Sequence, residues 1–319
     1  MRAKADVLST GGRPGGAPSA ADQDESGRMT RRTMITRAGA LTLAGTDPKP
    51  WSRSLGRGRP IVFLHGWMMD HRDERRTFEP IFVRRRGWRR VYLDLPGMGR
   101  TPADPSIRNL DDMLARVLDA IERLVGDEPF ALCGTSAGAL LARGVAAKLP
   151  EQVDGLLLRA PLIEPEDSRR DVSPVQPLHV DPAAMANLPP ALQDQLGSPP
   201  IQTPSYLAAL IAKHSETVAP AMAAANRAFL DPIRNDPQRY RLSLDLEAQP
   251  FTGPALVVAG RLDQSVGFRD AWRVASRMPR ATFVVLDRAE HGLPVDQNEI
   301  FAALVGDWLD RLEETRRLR

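Results

Sequence analysis

The sequence predicts an α/β fold, a mostly parallel central sheet with helices on both faces and a mainly helical cap insertion. Three observations carry this. Short, nearly continuous apolar runs recur along the chain and alternate with helical patterns, as expected for strands buried on both faces. One run, Phe130 to Cys133, leads into Gly134-Thr135-Ser136-Ala137-Gly138 and then an Ala- and Leu-rich stretch, which reads as strand, sharp turn and helix. From Glu164 to about Pro250 no parallel-strand pattern appears, and prolines crowd the first half of that region.

Taken in order, residues 1–28 hold Gly-Gly-Arg-Pro-Gly-Gly-Ala-Pro and small polar residues, the composition of a disordered tail. Thr33–Arg37 and Ala40–Gly45 around Ala38-Gly39 suit a first hairpin. Pro60–His65 is the first buried strand, followed by His65-Gly66-Trp67, and Val91–Leu95 is the next. Leu110–Val125 places apolar residues at helical spacing. Val153–Leu158, Pro254–Ala259 and Ala281–Leu286 complete the strands, and a helix from about Asn298 to Leu312 closes the chain. The expected division is a tail at 1–28, a first core part at 29–163, a cap at 164–250 and a second core part at 251–319. Within the cap, Ala183–Leu196 and Tyr206–Leu230 are the expected helices. So long a stretch without structure would be unusual, and open α/β sheets bind ligands at the strand C-terminal edge that such a cap would cover.

Composition excludes several classes. The chain has 319 residues, net charge +3, 26% charged and 5% aromatic residues. Its basic residues are scattered, and its aromatics are too few for a stacking platform, so no nucleic-acid partner is expected. The single cysteine, Cys133, rules out an internal disulfide and a Cys-based zinc site and reads as a buried thiol. No stretch reaches transmembrane length, so no stable membrane insertion is expected. Thr30-Arg31-Arg32-Thr33-Met34-Ile35 weakly resembles a twin-arginine signal, but the apolar stretch after it is short and broken by Thr42. A cytoplasmic location is the expectation, with export the minor alternative.

His65-Gly66-Trp67, Asp94-Leu95-Pro96-Gly97-Met98-Gly99, the Ser136 turn, Gly260-Arg261-Leu262-Asp263 and Glu290-His291-Gly292 follow one another in the chain. On these motifs, residues 33–312 resemble the α/β-hydrolase fold superfamily, in its capped, esterase-like branch. The fold hosts many chemistries, so the resemblance is less specific for substrate. Chain order in this fold is Ser, then Asp or Glu, then His. A serine hydroxyl needs a base, and the base needs a carboxylate to orient it. Ser136, Asp263 and His291 fit these roles. His65 sits in a strand-end motif, His71 in a polar loop, and His179 and His214 in the cap region. Asp270 and Asp287 are weaker rivals to Asp263, one further into the following helix and the other too close to His291. The backbone N–H groups of Ala137 and Trp67 are the expected oxyanion donors. Met68 and the Trp67 indole are placed at the pocket, and the resemblance gives His65 and Asp94 structural roles.

The resemblance implies a serine hydrolase acting on an ester or similar acyl bond of a small or medium substrate, with no cofactor and no metal. A serine at the turn, rather than aspartate, argues against dehalogenases and epoxide hydrolases. A carbon–carbon bond hydrolase is the runner-up. It would need a cation for a substrate carboxylate, and Arg159 could supply one, although a surface salt bridge is the ordinary role of such a residue. Cofactor-free haloperoxidase and acyltransferase activities share the same three residues. A non-catalytic binding protein is the remaining class, and its mark would be a missing member of the trio. Oligomeric state is not readable from these residues.

Overall fold

The computed structural model describes residues 49–318. The expected tail and first hairpin lie outside the described residues.

Seven strands form one sheet in the order β1-β3-β2-β4-β5-β6-β7. They are β1 (Ser52–Leu55), β2 (Arg59–Leu64), β3 (Trp88–Leu93), β4 (Phe130–Thr135), β5 (Val153–Arg159), β6 (Ala255–Gly260) and β7 (Ala281–Leu286). All neighbours run parallel except β1, which pairs antiparallel with β3 at the edge. The helices are α1 (His71–Phe82), α2 (Leu110–Val125), α3 (Ala137–Lys148), α4 (Pro182–Ala186), α5 (Pro190–Leu196), α6 (Pro204–Lys213), α7 (Ala219–Ala224), α8 (Arg227–Arg234), α9 (Arg269–Ala275) and α10 (Asn298–Arg317).

Strand periodicity explains how the layers form. Side chains alternate between the two faces of a strand. Val62, Leu64, Leu132, Leu156, Leu158 and Val257 therefore pack with α2, α3 and α9, while Ile61, Phe63, Cys133, Leu157, Leu256 and Val258 pack with α1 and α10. A sheet covered on both faces needs apolar residues at every position, which is why its strands read as continuous apolar runs. α3 is buried along nearly its whole length for the same reason, with Ala and Leu where a surface helix would carry charge. Cys133 is buried, as expected, and burial pushes its thiol up.

Between β5 and β6 no strand joins the sheet; α4 to α8 lie there, with one isolated bridge between His179 and Ile201. The two helices expected in this stretch are both divided. Pro189 and Pro190 split the first, because the residue before a proline is driven out of the helical region and Pro190 restarts the helix at its first position. The second runs from α6 through a π-helical turn, His214–Val218, into α7. It stops where Ala225 turns extended, and Asn226 caps α8 by accepting from the Phe229 N–H. The Asn226 N–H donates to the Gly97 carbonyl at 2.8 Å. Gly97 has φ +77, and a Cβ there would lie 2.4 Å from the Phe229 ring, so this crossing requires glycine. None of the described helices is long and apolar enough to cross a membrane.

Candidate active site

β4 ends at Thr135 and α3 begins at Ala137, leaving Ser136 alone to make the turn. Its φ of 53° and ψ of −118° are costly for a non-glycine residue, roughly 1–3 kcal/mol. Packing enforces them. A Cβ at Gly134 would lie 2.4 Å from the Gly138 carbonyl oxygen, and one at Gly138 would lie 2.3 Å from that of Leu64. The Ser136 N–H donates to the Arg159 carbonyl at 3.0 Å, and the Ser136 carbonyl accepts from the Leu162 N–H at 3.1 Å. The end of β5 and the residues just after it thus hold the strained residue.

Asp263 follows β6 and is 2% exposed. Its Oδ1 accepts from the N–H groups of Ser265 and Val266, at 2.8 and 3.0 Å. Its Oδ2 lies 2.9 Å from His291 Nδ1, and His291 Nε2 lies 3.0 Å from Ser136 Oγ. A carboxylate only accepts, so Nδ1 carries the proton and Nε2 presents its lone pair to the serine hydroxyl. Gly260 allows the β6 and β7 loops to close on each other, since a Cβ there would meet the Ala289 oxygen at 2.3 Å. The three residues singled out from the sequence are therefore one hydrogen-bonded chain. Asp270 and Asp287 are not part of it: Asp270 accepts from the Asp171 N–H, and Asp287 faces Arg261.

The loop after β2 runs beside this chain. A Cβ on Gly66 would sit 3.4 Å from the Ser136 Cβ, so Trp67 follows directly on the residue that abuts the serine. The Trp67 indole packs edge-on against Tyr240 at 5.0 Å, and its Nε1 is buried without an acceptor among the described residues. Met68 is left-handed at φ +59, its N–H directed at Met98 Sδ. Ala137 opens α3, where backbone N–H groups lack intrahelical partners.

His65 and Asp94 hold loops. His65 Nε2 accepts from the Leu95 N–H at 3.0 Å, so Nδ1 bears the proton and donates to the Gly66 carbonyl at 2.8 Å. Asp94 accepts from the His71 N–H and Nδ1 and from the Arg100 N–H. Burial would raise its carboxyl, but these donors, His71 foremost, hold it below the usual range. His71, expected in a polar loop, is instead the first residue of α1 and buried; the run Arg72-Asp73-Glu74-Arg75-Arg76 hid the helix. Asp70, His71 and Asp94 bring three possible metal-ligand atoms within 4.8 Å, which their separation in sequence did not suggest. Asp70 is engaged by Arg72 as well as capping α1, and Asp94 by the donors named above, so the group is a closed ion-pair network.

Arg159 corrects the sequence expectation in both its forms. It is neither on the surface nor open to a substrate carboxylate. Only 1% exposed, it donates through Nε to Thr135 Oγ1 (2.9 Å), through Nη1 to the Leu293 carbonyl (2.6 Å), and through Nη2 to Asp73 (2.6 Å) and Glu74 (2.7 Å). Asp73 also pairs with Lys213 of α6 at 2.8 Å. A second link from the inserted helices is the Tyr206 hydroxyl, which donates to Glu290 at 2.6 Å, next to His291. Sequence reasoning missed Asp73, Glu74, Lys213, Tyr206 and Glu290. The one available signal was Lys213, directly after the apolar stretch 206–212, where a charge needs a buried partner.

Residues 59–297 match the family described as the alpha/beta hydrolase fold. A pimeloyl-(acyl-carrier protein) methyl ester esterase of Shewanella woodyi is 26% identical over 271 residues, covering 81% of this chain and 96% of the relative. A 2-hydroxy-6-oxononadienedioate/2-hydroxy-6-oxononatrienedioate hydrolase of Burkholderia vietnamiensis is 25% identical over 286 residues, covering 84% and 93%. Among solved structures, an alpha/beta superfamily hydrolase of Oenococcus oeni PSU-1 superposes with a TM-score of 0.72 at 26% identity, covering 83% of this chain and 97% of that one. Sheet order, the strained serine between β4 and α3, and a family match across most of the chain agree: this protein belongs to the α/β-hydrolase fold family.

Proposed function

We propose that the protein is a serine esterase that cleaves a small or medium acyl ester through an acyl-enzyme, with Ser136 as nucleophile, His291 as base and Asp263 as the group that orients it. The observation that carries this is the hydrogen-bonded chain Ser136 Oγ, His291 Nε2, His291 Nδ1, Asp263 Oδ2, at 3.0 and 2.9 Å. As Oγ bonds to the ester carbonyl carbon, its proton passes to Nε2 and the carbonyl π pair moves onto oxygen. The N–H groups of Ala137 and Trp67 stabilise that oxyanion, as does the positive end of α3. Collapse expels the alcohol, which takes the proton from Nε2. Water then repeats the sequence on the acyl-enzyme and restores Ser136. No step requires a cofactor. Trp67 and Met68 border the substrate, and the stretch 164–250 serves as the cap. The pimeloyl ester esterase and the other relatives so named support ester chemistry. A cytoplasmic setting suits an enzyme of this kind.

Carbon–carbon hydrolysis is the second reading, favoured by the Burkholderia relative. The engagement of Arg159 with four internal acceptors weakens it, because the cation considered for a substrate carboxylate is already used. The test is turnover of p-nitrophenyl butyrate and of a vinylogous 1,5-diketone acid by wild type and Ser136→Ala. Ester turnover lost in the variant, with no diketone cleavage, supports the esterase. Diketone cleavage faster than ester cleavage would replace it with the second reading.

A further inference from the structure

Four ionisable side chains from three parts of the chain meet behind the serine. Asp73 and Glu74 come from the first turn of α1, Arg159 from the end of β5 and Lys213 from the end of α6. All four are buried. Such a cluster is costly to bury and is retained only where its geometry is well satisfied. Here the charges balance as two cations against two carboxylates. Burial would raise Asp73, but Lys213 and Arg159 hold its carboxyl well below the ordinary range. Burial lowers Lys213, and Asp73 only partly offsets this.

Arg159 differs from the other three in what else it touches. Its carbonyl accepts the Ser136 N–H, and its Nε donates to Thr135, the residue before the serine. Its Nη1 donates to the carbonyl of Leu293, two residues after His291. A planar guanidinium fixes the angles between these bonds, which a lysine ammonium would not. Serine and histidine arrive from strands that are not neighbours, β4 and β7, with β5 and β6 between them. Arg159 spans that gap on the buried side, as the bond between Ser136 Oγ and His291 Nε2 spans it on the reacting side.

We propose that Arg159 is a positioning residue, a role that rests on the reading of Ser136 and His291 as nucleophile and base. It holds the serine turn and the histidine loop in register through Thr135 and Leu293, with Asp73 and Glu74 fixing the guanidinium in place. A shift of about 1 Å between reacting groups can cost about a hundredfold in rate, so this register bears on kcat rather than on substrate affinity.

Thr135→Val is the decisive variant. It keeps the shape of the side chain, leaves all four charges in place, and removes only the acceptor of Arg159 Nε. Thr135→Ser restores an acceptor, and Arg159→Lys keeps the charge without the fork. For each folded protein, the rate of labelling by a fluorophosphonate, kcat and KM for p-nitrophenyl butyrate would be measured. The expected result is that Thr135→Val lowers kcat and labelling rate together by about tenfold, with KM within twofold. Thr135→Ser is expected within about threefold of wild type, and Arg159→Lys to fall further than Thr135→Val. If Arg159→Lys does not fold, Thr135→Val decides alone. Labelling and kcat of Thr135→Val within twofold of wild type, or a change in KM only, would overturn the positioning role while leaving the esterase intact. A wild-type protein that neither labels nor turns over ester overturns the reading of Ser136 itself, and the positioning role with it.

Discussion

Lys213 Nζ lies 2.8 Å from Asp73 Oδ1 with both side chains buried, so the inserted helix α6 is tied to the first turn of α1 by an ion pair that water does not screen. Removing one partner of such a pair leaves the other charge stranded. Lys213→Ala is therefore expected to lower unfolding free energy by roughly 3–5 kcal/mol. Asp73→Asn is expected to destabilise by a comparable amount, because Lys213 and Arg159 lose their shared carboxylate. Urea unfolding of both variants at pH 7 measures this. A loss within 0.5 kcal/mol of zero would mean that the pair is not maintained in solution.

The same carboxylate sets an acid limit. The Asp73 carboxyl is held below its ordinary value in the folded protein. An acid depressed by folding adds stability above its unfolded pKa, about 3.9, and that stability disappears as pH falls through the folded value. Asp94, lowered by His71 and neighbouring N–H groups against the opposing effect of burial, adds in the same direction. Melting temperature should therefore decline below about pH 4. The decline should be shallower in Asp73→Asn, which has no such carboxyl to protonate. Thermal melts between pH 3 and 7 test this.

Glu290 carries the opposite sign. Burial raises its carboxyl and the Asp263 charge adds to this, while the Tyr206 hydroxyl offsets part of it. An acid raised by folding favours the folded state when protonated and costs stability as pH rises through its folded pKa. Glu290→Gln keeps an acceptor for Tyr206 and removes that cost. Its melting temperature relative to wild type should therefore be higher at pH 7 than at pH 4. Equal differences at both pH values would contradict this.

Gly97 separates two kinds of cost. Its φ of +77 penalises any side chain, and its Cβ would collide with Phe229. Gly97→Ala should destabilise by about 2–4 kcal/mol, the sum of backbone strain and overpacking. Combining it with Phe229→Ala should relieve the collision but not the strain, so the two changes will be non-additive. A double-mutant cycle from urea melts reads the difference. Strict additivity would mean that the helix α8 side chain does not rest on Gly97.

Asp263→Asn should leave the fold in place while kcat falls by about 10³–10⁴. An amide can offer its N–H₂ group to Nδ1, which puts the imidazole proton on Nε2 and removes the lone pair that faces Ser136. KM should change little. Steady-state ester kinetics on the purified variant would show whether the loss is in kcat.

Much of this molecule is legible in its residues because a doubly covered parallel sheet writes itself as apolar runs. Leu110–Val125 and Ala281–Leu286 have the bounds expected. Chain order together with position at the strand ends is enough to select Ser136, Asp263 and His291, and the structure joins all three. Short or charged elements were not legible. β1 has four residues at an edge and follows no buried pattern. α1 carries Arg72 to Arg76 and Pro80, which mask its apolar residues Phe78 and Phe82. Arg159 was misread because a local sequence does not say which distant carboxylates fold against it. Its partners Asp73 and Glu74 lie some 85 positions away and become visible only when α1 packs on the sheet.

The most direct measurement is intact mass after exposure to a fluorophosphonate, made on folded wild type, Ser136→Ala and His291→Ala. The account predicts one phosphonyl adduct on wild type, mapped to the peptide that contains Ser136, and none on either variant. His291→Ala is the sharper arm, because it retains the serine and lacks only the base. An unlabelled wild type, or a His291→Ala protein that labels as fast as wild type, would contradict the claim that His291 activates Ser136.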